Sequence, residues 1–348
     1  MPPAAGLIEE LDRVRVLWTH NFDPDIPSKG SFMHITAEGL RARGVELHLE
    51  YLGNLRSARQ ILRARRHVRK LALQFDLVHA QFGSACALAT AAVKTVPKVV
   101  TIRGNDWATH DATVGFLYFH TRVAAWLTRT VIASFDGIFP VSHRLARQVT
   151  PLAPNAFIAA IPSAIDLDAF LPMDREEAKA RLGFANTSER WVLFNSLDLD
   201  NPIKRFRLAQ DAFHIAQGDC GNLRLRLATK LPRKDLALFV AACDLILCTS
   251  ETEGWPNSVK EALACDVPFV ATDVSDLREI ASVEPSCRVC PPQPDKIAAN
   301  ICEVLSLPRS QDLRRHVARM SVDSVADQII SAYHAVLAGF RQKRGQQG

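Results

Sequence analysis

Two α/β domains in tandem, each built on a doubly wound parallel sheet, are what this 348-residue sequence predicts, and three observations carry the prediction. Short apolar runs rich in Val, Ile and Leu alternate with longer stretches of helical spacing, the order a parallel sheet requires because each crossover needs a helix. The alternation occurs twice, with a proline-punctuated connector at residues 161–172 between the two series. The length suits two domains of ordinary size, each with its own core.

In the first series, residues 14–18, 45–49, 77–79, 98–102 and 137–141 read as strands. In the second, 191–194, 223–227, 245–248, 269–272 and 287–290 do so. No G-x-G-x-x-G follows the first strand, which argues against a nicotinamide dehydrogenase. The expected organisation is a first domain over 1–170, a second over 171–330, and a closing helix with a basic tail over 331–348, able to pack back on the first domain.

Hydrophobic residues make up 48% and charged residues 23%, the balance of a soluble globular chain rather than a disordered one. No apolar run reaches the ~18 residues of a transmembrane helix, and the first residues lack the basic and apolar regions of a secretory signal. A cytoplasmic protein is the expectation. Eight cysteines at irregular spacing fit buried or free thiols in a reducing compartment. Cys287-x-x-Cys290 has zinc or redox spacing, but it lacks a second pair and lies in an apolar run, which favours a structural role.

The chemistry concentrates where the strand at 245–248 runs into Thr249-Ser250-Glu251-Thr252-Glu253-Gly254-Trp255-Pro256-Asn257-Ser258 and then a helix. Such a turn leaves unpaired backbone N–H groups and the positive end of the helix dipole facing outward, a setting for phosphate. Ligands gather at this end of the strands in open parallel sheets. Glu253 stands in the loop and Glu261 about one turn into the helix. A sugar nucleotide, with a diphosphate and many hydroxyls, matches both. The plainer alternative is a capping box, Ser258-x-x-Glu261, that only satisfies the helix end, with Glu253 a solvated loop acid.

A second strand–turn–helix unit follows through residues 269–272 and Asp273-Val274-Ser275-Asp276 to a helix start at Leu277. From Glu253 to Glu279 the chain resembles the donor-binding signature of the retaining GT-B glycosyltransferases of family 4, E-G-x-x-N/L-x-x-x-E-A-x-A-x-x-x-P followed by a Val-Ala-Thr strand. Ile161-Pro162-Ser163-Ala164-Ile165-Asp166 resembles the family's I-P-N-G-V-D hinge, with Ser163 and Ala164 replacing Asn-Gly. Residues 76–83 resemble D-V-V-H-A-H-x-G, and Thr101-Ile102-Arg103-Gly104-Asn105-Asp106 resembles T-x-H/R-G-x-D. The resemblance runs from residue 14 to about 335 and is weakest at 106–137 and 205–235. It implies a GT-B fold: two Rossmann-like domains facing across a cleft, the first for the acceptor and the second for the nucleotide-sugar donor.

On that resemblance Glu253 faces the sugar as the catalytic carboxylate and Glu261 takes the ribose hydroxyls. Lys204 matches the lysine that clamps the diphosphate. The matching arginine position is Ser196, a departure, and Arg205, standing where the family has glycine, is the candidate to supply the missing charge. A solvated basic loop is the alternative for Lys204 and Arg205. Gly254, Trp255, Asn257 and Ser258 complete the diphosphate site through their amides, and Lys230 and Leu231 meet the base. On the cleft and acceptor side stand Gly30, Arg103, Gly104 and Asp106. Gly30 lets the backbone approach a ligand closely; the alternative there is a proline-rich surface turn.

Asp166-Leu167-Asp168 and Asp198-Leu199-Asp200 have the form of metal-holding triplets. Such triplets are common by chance, and cationic side chains and helix ends neutralise a diphosphate without a metal. No metal and no other cofactor is expected. Residues 56–70 carry seven Lys/Arg and no acid, with Ile61, Leu62, Val68 and Leu71 as an apolar stripe. That pattern suits peripheral contact with anionic lipid on the inner face of a membrane, or a solvated helix face. It lacks the interleaved aromatics of a nucleic-acid surface, so no nucleic acid is expected. The whole reads as a retaining glycosyltransferase moving a sugar from a nucleoside-diphosphate sugar to a glycan or lipid-linked acceptor in polysaccharide or glycolipid assembly. A nucleotide-sugar epimerase of the same fold, or a degenerate non-catalytic member, are the alternatives. Ser196, and Ser275 where glycine is common, favour the last.

Overall fold

The computed structural model describes residues 14–25, 30–108, 115–185, 188–229 and 231–346. The chain divides into two compact units: one holds the residues up to 108, 115–164 and the chain from Val322 onward; the other spans Ile165–Ser321. In chain order the first carries β1 (Arg15–His20), α1 (Ser31–Ala42), β2 (Glu46–Tyr51), α2 (Ala58–Leu71), β3 (Leu77–Ala80), α3 (Ser84–Thr90), β4 (Lys98–Ile102), α4 (Gly115–Val131), β5 (Gly137–Pro140), α5 (His143–Val149) and β6 (Phe157–Ile158). The second carries α6 (Arg175–Arg181), β7 (Arg190–Asn195), α7 (Phe206–Cys220), β8 (Leu223–Ala228), α8 (Arg233–Ala241), β9 (Leu245–Cys248), α9 (Asn257–Ala264), β10 (Phe269–Ala271), α10 (Leu277–Ala281), β11 (Arg288–Val289) and α11 (Pro294–Ser306). The last helix, α12 (Val322–Gly345), returns to the first unit.

Every strand pairing in the named strands is parallel. The orders are β2-β1-β3-β4-β5-β6 and β11-β10-β9-β7-β8, so each sheet runs outward in both directions from its first strand. This is the doubly wound α/β architecture expected, with switch points between β1 and β3 and between β7 and β9. Central strands β3, β5 and β9 are buried along their whole length because helices cover both faces, and they read as near-continuous apolar runs. The edge strand β8 instead alternates Leu with Arg224 and Arg226, the latter stacking 3.9 Å over the Trp191 ring.

Helix α12 starts at Val322, nine positions before the expected 331, and supplies Val325, Ala326, Ile329, Ala332, Tyr333 and Val336 to the first core. There they meet Val16, Trp18, Leu77, Val99 and Phe139. Burying each large apolar side chain contributes roughly 1.5–3 kcal/mol. Gly137 in β5 makes the approach possible, since a Cβ there would lie 2.6 Å from Val336 Cγ2.

Three expectations are corrected. Helix α2 forms over the basic stretch, capped by a reciprocal Ser57–Gln60 box, but Leu62 is 48% exposed and the buried face is Ala64 and Val68. Residues 61, 64, 68 and 71 share a helical face; Leu62 lies off it. The cysteines are not all free: Cys220 and Cys302 form a disulfide joining α7 to α11, while Cys287, Cys290 and four others are free and buried. β6, only two residues long, extends the first sheet where no strand was expected. Among the described residues no helix is long and apolar enough to cross a membrane.

Candidate functional site

Because β7 and β9 are neighbours at the switch point of the second sheet, the loops leaving their carboxyl ends open beside one another. The first loop turns through a short 3-10 segment, Pro202–Lys204, whose N-cap Asn201 accepts from the Ile203 amide at 3.1 Å. Lys204 leaves it to meet Glu253 from the second loop, Nζ to Oε1 at 2.5 Å, and the Ser250 hydroxyl donates to the same oxygen at 2.8 Å. Burial works against the Lys204 ammonium, but the adjoining Glu253 carboxylate outweighs it and holds the pKa above the ordinary lysine value.

The two loops are stitched by backbone contacts. Arg205 adopts a left-handed φ of 50° and donates from Nε to Thr249 O at 2.7 Å and from Nη2 to Ser250 O at 2.8 Å. Thr249 Oγ1 answers by donating to Lys204 O at 2.9 Å, and the Glu251 amide donates to Ile203 O at 2.8 Å. The left-handed position is where glycine costs nothing, and the two guanidinium bonds offset the strain of placing arginine there. Arg205, expected to replace a missing diphosphate charge, also fixes the loop around Glu253 through these two carbonyls. Ser196 forms a local turn instead, its Oγ donating to Asp198 O at 2.7 Å.

Helix α9 begins at Asn257 behind Pro256, with no side-chain cap, so the alternative capping box Ser258–Glu261 does not form. The first intrahelical donors are Val259 and Lys260, both to Pro256 O at 3.2 Å, and the Asn257 and Ser258 amides of the first turn precede them. Glu261 faces β7: Asn195 Nδ2 donates to its Oε2 at 3.0 Å. Burial pushes the Glu261 carboxyl up to about 7, against the opposing pull of Lys260, Arg233 and the Asn195 amide. Gly254 is buried and Trp255 is only 8% exposed. Ser275, with φ 53°, donates its Oγ to Gly254 O at 2.6 Å and so holds the turn from the β10 side. Leu231 is 38% exposed at the end of the loop after β8, while Lys230 lies outside the described residues. Both Asp-x-Asp triplets act in turns: Asp166 Oδ1 accepts from the amides of Asp168 and Ala169, and Asp198 Oδ1 from that of Asp200.

In the first unit, Gly30 is the left-handed N-cap of α1, φ 86°, and a Cβ there would lie 3.1 Å from Phe22. Arg103 stacks 4.0 Å over the Phe32 ring and donates to Gln81 O, Gln81 Oε1 and Ser163 Oγ at 2.9, 3.1 and 2.8 Å. Burial lowers its pKa to about 9 despite nearby Asp106. Asp106 is fully buried and accepts from the amides of Arg103, Gly104 and Gly83 at 2.9, 2.9 and 2.7 Å. Asp106 and the buried Gly104, both expected on the acceptor side, fold the loop that carries Arg103. Asn195, Ser250 and Arg233 were not singled out from sequence. The signal available was a polar residue at or just past the carboxyl end of an apolar strand, where Asn195 and Ser250 both stand.

The family model described as Glycosyltransferase Family 4 matches residues 4–169, and that described as Glycosyl transferases group 1 matches residues 212–307. A Bacillus subtilis (strain 168) protein named as a teichuronic acid biosynthesis glycosyltransferase, TuaC, is 24% identical over 222 residues, 59% of this chain and 55% of that protein. The alignment thus spans just over half the length of that relative. Among solved structures, sucrose-phosphate synthase from Thermosynechococcus elongatus superposes with a TM-score of 0.75 at 14% identity, covering 93% of this chain and 99% of that one. Anabaena HepE in complex with UDP and glucose superposes with a TM-score of 0.63 at 15% identity, covering 92% and 99%. With residues 4–169 and 212–307 matched by glycosyltransferase models and both sheets in the architecture of these structures, the chain has the GT-B fold and is similar to the glycosyltransferases of family 4.

Proposed function

We propose that the protein is a retaining glycosyltransferase that moves a sugar from a nucleoside-diphosphate sugar to a glycan or lipid-linked acceptor in polysaccharide or glycolipid assembly. The Lys204–Glu253 pair, beside Glu261 at the carboxyl ends of β7 and β9, is the observation that carries this reading. Breaking an anomeric C–O bond puts negative charge on the departing diphosphate and positive charge on the sugar. An incoming diphosphate competes with Glu253 for the Lys204 ammonium, and the Asn257 and Ser258 amides add donors aimed at the same anion. Released from Lys204, Glu253 faces the sugar and steadies its developing charge. Glu261, oriented by Asn195, receives the ribose hydroxyls. No metal enters this scheme, because the ammonium and the helix end supply the countercharge.

The relatives agree with this assignment: the HepE structure holds UDP and glucose, and TuaC is named for teichuronic acid biosynthesis. A lipid-linked acceptor agrees with the exposed Arg59, Arg63, Arg66, Arg69 and Lys70 of α2. The test is a calorimetric screen of UDP, GDP, ADP and their common sugar conjugates, with Lys204→Ala and Glu261→Ala alongside, followed by assay of donor turnover. Selective binding of one nucleotide, lost in both variants, with turnover of its sugar conjugate, is the expected result. Absence of binding to every nucleotide, or binding without turnover, points to the degenerate, non-catalytic alternative.

A further inference from the structure

The Glu253 carboxylate is held by one oxygen only. Lys204 Nζ at 2.5 Å and Ser250 Oγ at 2.8 Å both donate to Oε1. Among the described residues none donates to Oε2, and the Glu253 side chain keeps 16% of its surface exposed. One oxygen is tied to the protein and the other is left for a ligand. The two donors on Oε1 differ in what fixes them. Lys204 reaches it from the short Pro202–Lys204 turn through a flexible four-carbon stem, so its ammonium can swing to an arriving anion.

Ser250 cannot follow it. The residue is buried, its side chain is short, and its carbonyl is gripped from two sides, by Arg205 Nη2 at 2.8 Å and by Thr272 Oγ1, just past β10, at 2.5 Å. Both lone pairs of that carbonyl are thereby used. Cys248 Sγ lies 3.8 Å from Ser250 Oγ, and burial pushes its thiol pKa up, so the sulfur stays a weak donor to the serine oxygen. The hydroxyl's own proton is left for Glu253. When Lys204 turns to a diphosphate, Glu253 loses its ion-pair partner but not the serine. A carboxylate released from both would rotate about its own bonds, and misalignment at a reacting centre lowers the rate.

We propose, resting on the sugar-transfer reading above, that Ser250 is a positioning residue: its hydroxyl keeps Oε1 of Glu253 in place once Lys204 has turned to the diphosphate, and so presents Oε2 to the sugar. Crystal structures of full-chain Lys204→Ala and Lys204→Ala/Ser250→Ala test the positioning without any donor. In Lys204→Ala, Glu253 is expected to keep Oε1 on Ser250 Oγ; in the double variant it should spread over several rotamers. Release of nucleoside diphosphate from UDP-glucose, GDP-mannose and ADP-glucose tests the consequence in wild type and Ser250→Ala. On the donor that the wild type turns over, Ser250→Ala should lower kcat about tenfold or more, the scale of a lost hydrogen bond to a charged group, with KM within about twofold. Thermal unfolding checks that Ser250→Ala remains folded. Glu253 displaced from Ser250 in Lys204→Ala, Glu253 equally ordered in the double variant, or a raised KM with unchanged kcat in folded Ser250→Ala overturns the assignment. Unchanged kcat and KM do so as well. Wild type inert towards all three donors counts against the sugar-transfer reading, and the two crystal structures then decide the role of Ser250 alone.

Discussion

The indole N–H of Trp18 donates to the Tyr333 hydroxyl at 2.7 Å, joining the first strand to the last helix. Trp18 can only donate, so the tyrosine proton goes to His79 Nδ1 at 2.6 Å. His79 then carries its proton on Nε2 and donates it to Thr101 Oγ1 at 2.8 Å. Burial, with the Arg103 charge second, holds the His79 pKa well below its ordinary value, so the ring is neutral as this relay requires. Tyr333→Phe strands the Trp18 donor and the His79 acceptor together in the core. The expected cost is about 2–4 kcal/mol, two buried polar groups losing their partner. Urea unfolding measures it, and a loss below about 1 kcal/mol would refute the relay.

Lys204→Ala removes the cation that pairs with Glu253 and, on the proposed mechanism, the diphosphate's main partner. Nucleoside-diphosphate affinity should weaken by about tenfold or more, the size of a lost charge-assisted hydrogen bond. Glu253→Gln should spare nucleotide binding while depressing turnover, because its carboxylate is assigned to the sugar. Calorimetry and a turnover assay on both variants separate the two roles; equal loss of binding in both contradicts the division.

The raised Glu261 pKa gives a pH signature. Between its ordinary 4.5 and the folded value of about 7, the folded chain holds a proton that the unfolded chain releases. Stability from this group is therefore greatest below 4.5, declines as pH rises to about 7, and is flat above. Glu261→Gln, which does not titrate, abolishes that decline. Relative to wild type, the variant should gain on the order of 2 kcal/mol between pH 5 and pH 8. Chemical unfolding at the two pH values reads this directly, and parallel pH profiles for both proteins would exclude the titration.

Gly83 is hemmed by Asp106 and Thr128, with a Cβ falling 2.5 Å from Thr128 Oγ1 and 2.9 Å from the Asp106 carboxylate. Gly83→Ala should destabilise by roughly 1–3 kcal/mol through overpacking. It should also shift Arg103, whose loop Asp106 organises. Thermal unfolding tests the first effect; a crystal structure with Arg103 unmoved would deny the second.

What the sequence showed best was what repeats locally. Runs such as Leu245-Ile246-Leu247-Cys248 are buried on both faces, so composition alone marked them as strands. Glu253 and Glu261 were legible because one turn and one helix set their spacing. Contacts that close over long separations were not. Arg205 meets Thr249 and Ser250 across more than forty positions, and nothing in its neighbours announces that its guanidinium faces carbonyls. Asp106 looked available because its loop is polar, yet that polarity is backbone N–H turned inward upon its carboxylate. The Ser258–Glu261 spacing fitted a cap, but the N-cap is Pro256, two residues earlier, and Glu261 turns to Asn195. The Cys220–Cys302 bond, closing 82 positions, depends on α7 lying beside α11 and left no local trace.

The return of α12 to the first sheet also sets an order of events during synthesis. Among the described residues the second unit is a single stretch, Ile165–Ser321, and it can complete its core once those residues have cleared the ribosome. The first begins earlier but lacks Val325, Ile329, Tyr333 and Val336 until translation is nearly finished. Nascent β1, β3 and β5 therefore wait with an apolar face uncovered while the later unit matures, reversing the usual amino-first sequence of domain folding. A stop codon just before Val322 would leave the second unit's described residues intact and the earlier unit permanently open, a client for chaperones and proteases.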